Sequence, residues 1–265
     1  SIGLGAFWGC SGLTSLAIPS SVTLIDLSTF TGCTGLTSVT IPSSVTSIGQ
    51  NAFSYCMGLT SVTLPSSVTS IGSEAFWGGS GLTSITIPSS VTSIGSGAFG
   101  SCTGLASITI PSNVTSIGTD AFASCTGVTS ITVASGNPDY ESISGDLYDK
   151  TGDSLLEVHG AITGGFTIPS SVTSIGSEAF ASCTGLTSVT IPSSVTSIGS
   201  EAFASCTGLT SVTILSATPP SLPASSDAFV AEASGFEIHV PSSAAVTAYQ
   251  AATGWSSYSS EIVTP

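Results

Sequence analysis

The chain is 265 residues long and only 6% charged, with fifteen acids against one cation besides histidine, Lys150, for a net charge of −14 and a pI near 4.1. One Lys and no Arg leave nothing to neutralise a phosphate backbone or clamp a nucleotide, and an anionic membrane surface would repel such a chain; this argues against nucleic-acid partners and nucleotide chemistry. Mean hydropathy is +0.53, yet the apolar residues stand singly among Ser, Thr and Gly, so no stretch approaches the ~18–20 apolar residues of a membrane span.

In chain order, Ser1-Ile2-Gly3 matches the SIG that recurs in later units. A start in mid-unit is what a fragment, a processed product or a subunit whose first coil stacks on a neighbour would show, since a bare coil end is an open sheet edge. Leu13, Leu36, Leu59, Leu82, Leu105 and Val128 then follow 23 residues apart, and Leu186 and Leu209 resume that spacing. Phe7, Phe30, Phe53, Phe76, Phe99 and Phe122 keep the same period, as do Phe180 and Phe203. A period of this length belongs to the 20–29-residue range of leucine-rich repeats, which stack one unit per coil.

The unit is clearest at 186–208, LTSVTIPSSVTSIGSEAFASCTG. Alternation in a strand points Leu186, Val189 and Ile191 inward and Ser188 and Thr190 outward. Pro192 ends the strand, having no N–H for a ladder. Ser193 and Ser194 make the corner, and Val195 and Ile198 begin a second short extended segment. Gly199 permits a bend, after which Ser200 reads as a helix N-cap with Glu201 in the first turn, so that a short helical turn carries Phe203 into the core. Glu178 takes the same role one unit earlier.

Two departures interrupt the period. One unit, about 128–162, is longer by about a dozen residues and holds NPDYESISGDLYDKTGDSLLEVHG, in which Lys150-Thr151-Gly152-Asp153 reads as a β-hairpin turn between two extended stretches. The tail from Leu215 is first loop-like, then offers FEIHVP as a strand, a helix through Ala244–Thr253 capped by Ser242 or Ser243, and Trp255 and Tyr258 to cover the last coil. The expected organisation is a solenoid over 1–214 and a capping module over 215–265.

These units resemble the BspA-like leucine-rich repeat, also described as the Treponema pallidum type, in register over nearly all of 1–214. The island 137–158 is similar to the hairpin repeat that interrupts arrays of this family, and the tail is similar to a C-terminal module that often follows them. The resemblance implies extracellular or cell-surface proteins that act in adhesion or in binding host or matrix proteins, with no one fixed ligand.

Several residues invite chemistry. Cys10, Cys33, Cys56, Cys102, Cys125, Cys183 and Cys206 occupy one column, with Gly79 in the same place. Stacked equivalents have parallel Cβ vectors about 5 Å apart, beyond the ~3.5–4.5 Å of a disulfide, so buried free thiols are expected. No CxxC pair or His joins them to make a zinc site. The acids of the island, Asp139, Glu141, Asp146, Asp149, Asp153 and Glu157, could attract Ca²⁺ but lack EF-hand spacing. Asn113-Val114-Thr115 is a glycosylation sequon, with Asn113 replacing the corner Ser of other units (Ser44, Ser67, Ser90, Ser171, Ser194) and therefore expected at the surface. His159 and His239 are the only histidines, and no nucleophile elbow occurs. No cofactor or metal is called for, and the chain reads as non-enzymatic.

The outward strand positions Ser38/Thr40, Ser61/Thr63, Ser84/Thr86, Ser107/Thr109, Ser130/Thr132, Ser188/Thr190 and Ser211/Thr213 should form two hydroxyl ladders. The expected fold is mainly β: a leucine-rich-repeat solenoid of 23-residue coils with short helical turns, one β-hairpin insertion and a small C-terminal cap. The expected function is extracellular binding of a protein or glycan through the hydroxyl face and the acidic hairpin, without nucleic acid or membrane insertion. The alternative is a structural subunit that binds other copies of itself into a filament or coat. Ice binding ranks below both, because a curved repeat sheet is a poor match to a flat lattice.

Overall fold

A computed structural model of the protein describes residues 2–223, 227–230 and 233–265. Ser1, which the repeat pattern sets in the first SIG, lies outside them, as do residues 224–226 and 231–232 of the tail. The chain forms two compact units, Ser1–Lys150 and Thr151–Pro265.

In the first unit the LTSVTIP segments line up as parallel strands. Ser15–Ala17, Ser38–Thr40, Ser61–Thr63 and Ser84–Thr86 form one four-stranded sheet, and Ile108–Ile110 pairs with Ile131–Val133. A second row of two-residue strands, Leu24–Ile25, Ser47–Ile48, Ser70–Ile71, Ser93–Ile94 and Ser116–Ile117, follows the corners. Pairing is residue to equivalent residue, as with Ser61↔Ser84 and Thr63↔Thr86. Each Leu, Val, Ile and Phe therefore buries against its own counterpart, and Leu36, Val45, Ile48, Phe53 and Leu59 are all essentially inaccessible. The phenyl rings form a continuous stack from Phe7 to Phe122, with centroids 5.1–5.8 Å apart and planes within 10°. That offset-stacked spacing is the favourable one for aromatic pairs.

The second unit repeats the plan. Thr163–Thr167, Gly185–Ile191, Ser211–Ile214, Glu237–His239 and Ile262–Val263 form one parallel sheet. Phe180 and Phe203 stack at 4.6 Å, and Phe229 adds a ring at 5.0 Å. Asp227-Ala228-Phe229 lies in no helix or strand, as the loop-like reading expects, yet it continues the Glu201-Ala202-Phe203 pattern, with Phe203 N–H bonded to Ala228 O at 2.8 Å. Its ring falls 26 residues after Phe203 rather than 23, so periodicity alone misses it. The helix spans Ser243–Ala251, with Ser242 at the N-cap accepting from Ala245 N–H. Trp255 is buried and donates its indole N–H to Pro220 O at 2.7 Å. Tyr258 packs edge-on to Phe229.

The third side of each coil carries the expected short helical turns as separate i→i−3 bonds, such as Ala204 N–H to Glu201 O and Cys206 N–H to Phe203 O. The N-cap reading of Ser200 and Glu201 does not hold. Glu201 has φ +55° and Glu178 φ +51°, in the left-handed region, and four residues on Ser205 (φ +59°) and Ser182 (φ +61°) repeat it. In the first unit Asn51, Glu74 and Gly97 fill the first of these positions, and Tyr55, Gly78 and Ser101 the second. The left-handed residues turn alternate N–H groups outward to the next coil. Phe30 N–H bonds Ala52 O, Phe53 bonds Ala75 and Phe76 bonds Ala98, all at 2.7–2.8 Å. Coils are therefore hydrogen-bonded on the turn side as well as along both strand rows.

So close an approach leaves two columns where no Cβ fits. A Cβ on Gly58 would stand 2.6 Å from Thr34 O, and one on Gly49 would stand 2.7 Å from Ile25 O, both backbone atoms of the preceding coil. Gly58→Ala is expected to destabilise the chain by about 1–3 kcal/mol through enforced separation of two coils. Ser205→Gly, which only relieves a left-handed serine, should stabilise by up to ~1 kcal/mol. Urea unfolding midpoints of the two variants against the parent check both signs.

Candidate functional site

The strand rows set out the hydroxyl face. Because register is residue to equivalent residue, Ser61 stands beside Ser84, Thr40 beside Thr63, Thr63 beside Thr86, and Thr109 beside Thr132. In the second unit Ser188 stands beside Ser211 and Thr190 beside Thr213, while Gly165 takes the serine place in the preceding strand. Ser38, Thr40, Ser61, Thr63, Ser84, Thr86, Ser107, Thr109 and Thr132 are exposed, and Ser130, Ser188, Thr190, Ser211 and Thr213 are partly covered. Among the described residues none of these fourteen hydroxyls makes an intramolecular hydrogen bond, and none of the positions carries a charge.

Other hydroxyls behave differently. The Ser67 hydroxyl donates to Val45 O and that of Ser90 to Val68 O, both at 2.6 Å. Thr69 donates to Thr46 O and Thr83 to Thr60 O, both at 3.2 Å. Sequence position separates corner from strand-face hydroxyls but does not tell which are bonded. The structure divides them into a set that ties one coil to the next and a strand-face set left to solvent.

The insertion meets one end of this face in the first unit. Tyr140–Ile143 and Asp146–Asp149 pair antiparallel around a two-residue turn at Ser144–Gly145, whose φ values of +55° and +93° are those of a primed hairpin turn. Residues 150–153 form a further turn before the strand Ser154–Glu157. The hairpin bonds to the Ile131–Val133 strand, Ile131 N–H to Gly145 O at 2.7 Å and Val133 N–H to the Ser142 hydroxyl at 3.2 Å. Asn137 anchors it and was missed in the sequence. Buried, it donates to Pro111 O and Val114 O at 2.9 Å each and accepts from the N–H groups of Asp139 and Tyr140. An Asn two residues before Asp139, at the start of an insertion, was the available signal. The Tyr140 hydroxyl accepts from Ile117 N–H at 2.9 Å, and burial raises its pKa. Burial, with Asp146 beside it, pushes the Tyr148 phenol up to about 12.

The acids of the island separate rather than converge. Asp146 and Glu157 are buried, Asp139 is exposed, and Lys150 pairs with Glu141 at 3.8 Å. Among the described residues no three His, Cys, Asp or Glu side chains are placed to hold a metal ion. Of the histidines, His239 lies 3.4 Å from Glu237. Asn113 is exposed, and its side-chain nitrogen donates to Ser89 O at 2.7 Å.

The BspA type leucine rich repeat family matches this chain in six copies, over residues 1–137 and 161–246, leaving out only the hairpin and the C-terminal end. Three solved structures are similar. A leucine rich cell surface protein of Faecalibacterium prausnitzii is 31% identical over 86% of this chain and 73% of its own, with a TM-score of 0.64. A leucine-rich repeat protein of Eubacterium ventriosum is 26% identical over 88% and 73%, with a TM-score of 0.59. The pneumococcal vaccine antigen PcpA, 19% identical over 95% and 77% with a TM-score of 0.63, shares the fold. No curated protein matches.

The cysteines stand as free thiols, Cys10 exposed and the other six buried. They are more than small apolar residues. The thiol of Cys33 donates to Phe7 O at 3.0 Å, and those of Cys56, Cys102 and Cys125 donate to Phe30, Phe76 and Phe99 O at 3.1 Å each, one coil back. Burial pushes the Cys56 and Cys102 thiols up to about 12. Because the thiolate is the reactive form, a thiol reagent at pH 8 should label one Cys rapidly in the folded chain and all seven after denaturation. Rapid labelling of several in the folded chain would contradict this packing.

Proposed function

Since the chain belongs to the BspA-type leucine-rich repeat family, we propose that it acts at a cell surface as a non-enzymatic interaction protein, binding a partner protein through the Ser/Thr strand face and the adjoining hairpin. One observation carries the reading: ten uncharged strand-face hydroxyls in the first unit, and four in the second, each set aligned residue to equivalent residue within its sheets, make no hydrogen bond among the described residues. Hydroxyls both donate and accept, so such a grid can satisfy a partner's polar groups without imposing a fixed charge pattern. A protein interface of ordinary size takes about 800 Å² from each partner, so a partner would have to engage the face over many coils rather than one. The cell-surface role of the F. prausnitzii relative supports the location.

The Thr63→Lys/Thr86→Lys double variant tests it. Both side chains are exposed and adjacent in register, so the fold should persist while two cations stand in mid-face. Against immobilised host-surface and matrix proteins, the parent should bind at least one, and the variant should bind it at least about tenfold more weakly. Equal binding by the variant, or no binding by the parent, would overturn the proposal.

A further inference from the structure

The turn side of the first unit bears a second and chemically different surface. Leu4, Trp8, Leu27 and Tyr55 stand 67%, 73%, 39% and 47% exposed, lining one groove of about 410 Å³ over the first three coils. Repeat neighbours of these aromatics are small. In the Trp8 column the other coils place Thr31, Ser54, Gly100 and Ala123, with a second indole at Trp77; in the Tyr55 column they place Gly9, Gly32, Gly78 and Ser101.

Tyr55 carries a conformational penalty that its column does not require. Its φ is +56°, where glycine sits freely and a bulky side chain is an outlier. Folding alone would favour Gly here, as in three neighbouring coils. The ring lies along Gly78, where a Cβ would stand 2.8 Å from Tyr55 Cδ1, so the missing side chain makes room for it. The ring is thus fixed at one edge and open to solvent over about half its surface. Strain held by an exposed aromatic, with a glycine kept clear beside it, is a pattern of binding sites rather than of cores.

The groove's chemistry selects the occupant. Its lining carries no ionised side chain, and the chain's −14 charge disfavours anionic ligands. Its volume of about 410 Å³ is that of a small-ligand cleft, whereas a protein interface spreads over a broad surface. Two exposed rings offer apolar platforms, and in the same groove the Ser28 hydroxyl and the Asn51 side-chain oxygen carry no intramolecular hydrogen bond among the described residues. Beneath the groove the Phe7, Phe30 and Phe53 rings of successive coils stand 5.2 and 5.1 Å apart, centroid to centroid. An extended β-1,4-linked pyranose chain advances by nearly this distance per residue and presents the same apolar ring face at every second residue. Trp8 and Tyr55 are two coils apart. We infer that this groove binds an extended neutral β-1,4-linked oligosaccharide, with alternate sugar rings stacked on Trp8 and Tyr55. The site is separate from the strand face and does not depend on the role proposed for it.

Titration with cellohexaose and β-1,4-mannohexaose, followed by calorimetry and by tryptophan fluorescence, tests the inference, with hexagalacturonate as the anionic control. At least one neutral hexamer should bind and blue-shift the emission of the exposed Trp8, while hexagalacturonate should not. Trp8→Ala and Tyr55→Gly should each weaken binding at least about tenfold. Tyr55→Gly should also raise the melting temperature, because the left-handed strain is gone. The Thr63→Lys/Thr86→Lys variant should bind the hexamer like the parent, which keeps the two proposals distinguishable. The inference is overturned if neither neutral hexamer binds, if hexagalacturonate binds equally, or if Tyr55→Gly binds undiminished or melts lower. Loss of sugar binding in the strand-face variant, or a concentration-dependent dimer abolished by Trp8→Ala, would overturn it as well.

Discussion

Everything in this fold depends on coils approaching within one backbone hydrogen bond of each other on every side. Within each unit the turn side and the strand rows bond coil to coil, with the first row divided between Ser84–Thr86 and Ile108–Ile110, so most of each coil has no room to bulge outward. These ladders favour a constant period, and where a coil is longer the extra residues are taken up between them: Phe229 follows Phe203 by 26 residues, yet Thr213 still pairs with His239 and Phe203 N–H still bonds Ala228 O. The two glycine columns follow from the same constraint, since Gly49 and Gly58 sit where the previous backbone occupies the space of a Cβ. So do the left-handed residues, which turn N–H groups toward the next coil instead of back along their own turn.

The constraint also explains the composition. A chain stacked this tightly exposes carbonyl oxygens at its corners, and short hydroxyl side chains reach them without bulk. Ser67 and Ser90 do this at 2.6 Å. Buried thiols do the same beside the phenyl stack, where Cys56 and Cys102 bond the carbonyls of Phe30 and Phe76. Once these needs are met, the strand-face hydroxyls remain as surface with no structural partner, and the binding proposal rests on that remainder. The aromatic groove is the complementary case: side chains that the stack does not call for, in positions where small residues serve the fold better.

Much of this was legible in the sequence. The 23-residue spacing of Leu and Phe placed the core, alternation placed the hydroxyl ladders, and the shared cysteine column ruled out disulfides. What was not legible shares one physical cause: the missing information lay in backbone conformation rather than residue type. Nothing about Glu201 or Tyr55 announces a positive φ, so a left-handed turn looked like the start of a helix. The turn at Lys150–Asp153 was legible and forms between the strands Asp146–Asp149 and Ser154–Glu157, whereas the turn at Ser144–Gly145, which closes the preceding strand pair, has a weaker signal. Phe229 was hidden by a three-residue slip, although Asp-Ala-Phe echoes Glu-Ala-Phe. Engaged and unengaged serines are identical letters, and only register separates them.

That separation is the central claim, and Ser→Ala substitutions test it most directly, because the chemistry is the same in both sets. Thermal or urea unfolding would compare Ser67→Ala/Ser90→Ala, which removes two coil-to-coil bonds, with Ser61→Ala/Ser84→Ala on the strand face. The first pair should lose about 1 kcal/mol per site, and the second should stay within about 0.5 kcal/mol of the parent. Equal losses from the two pairs would contradict the division of the hydroxyls into a structural set and a free one.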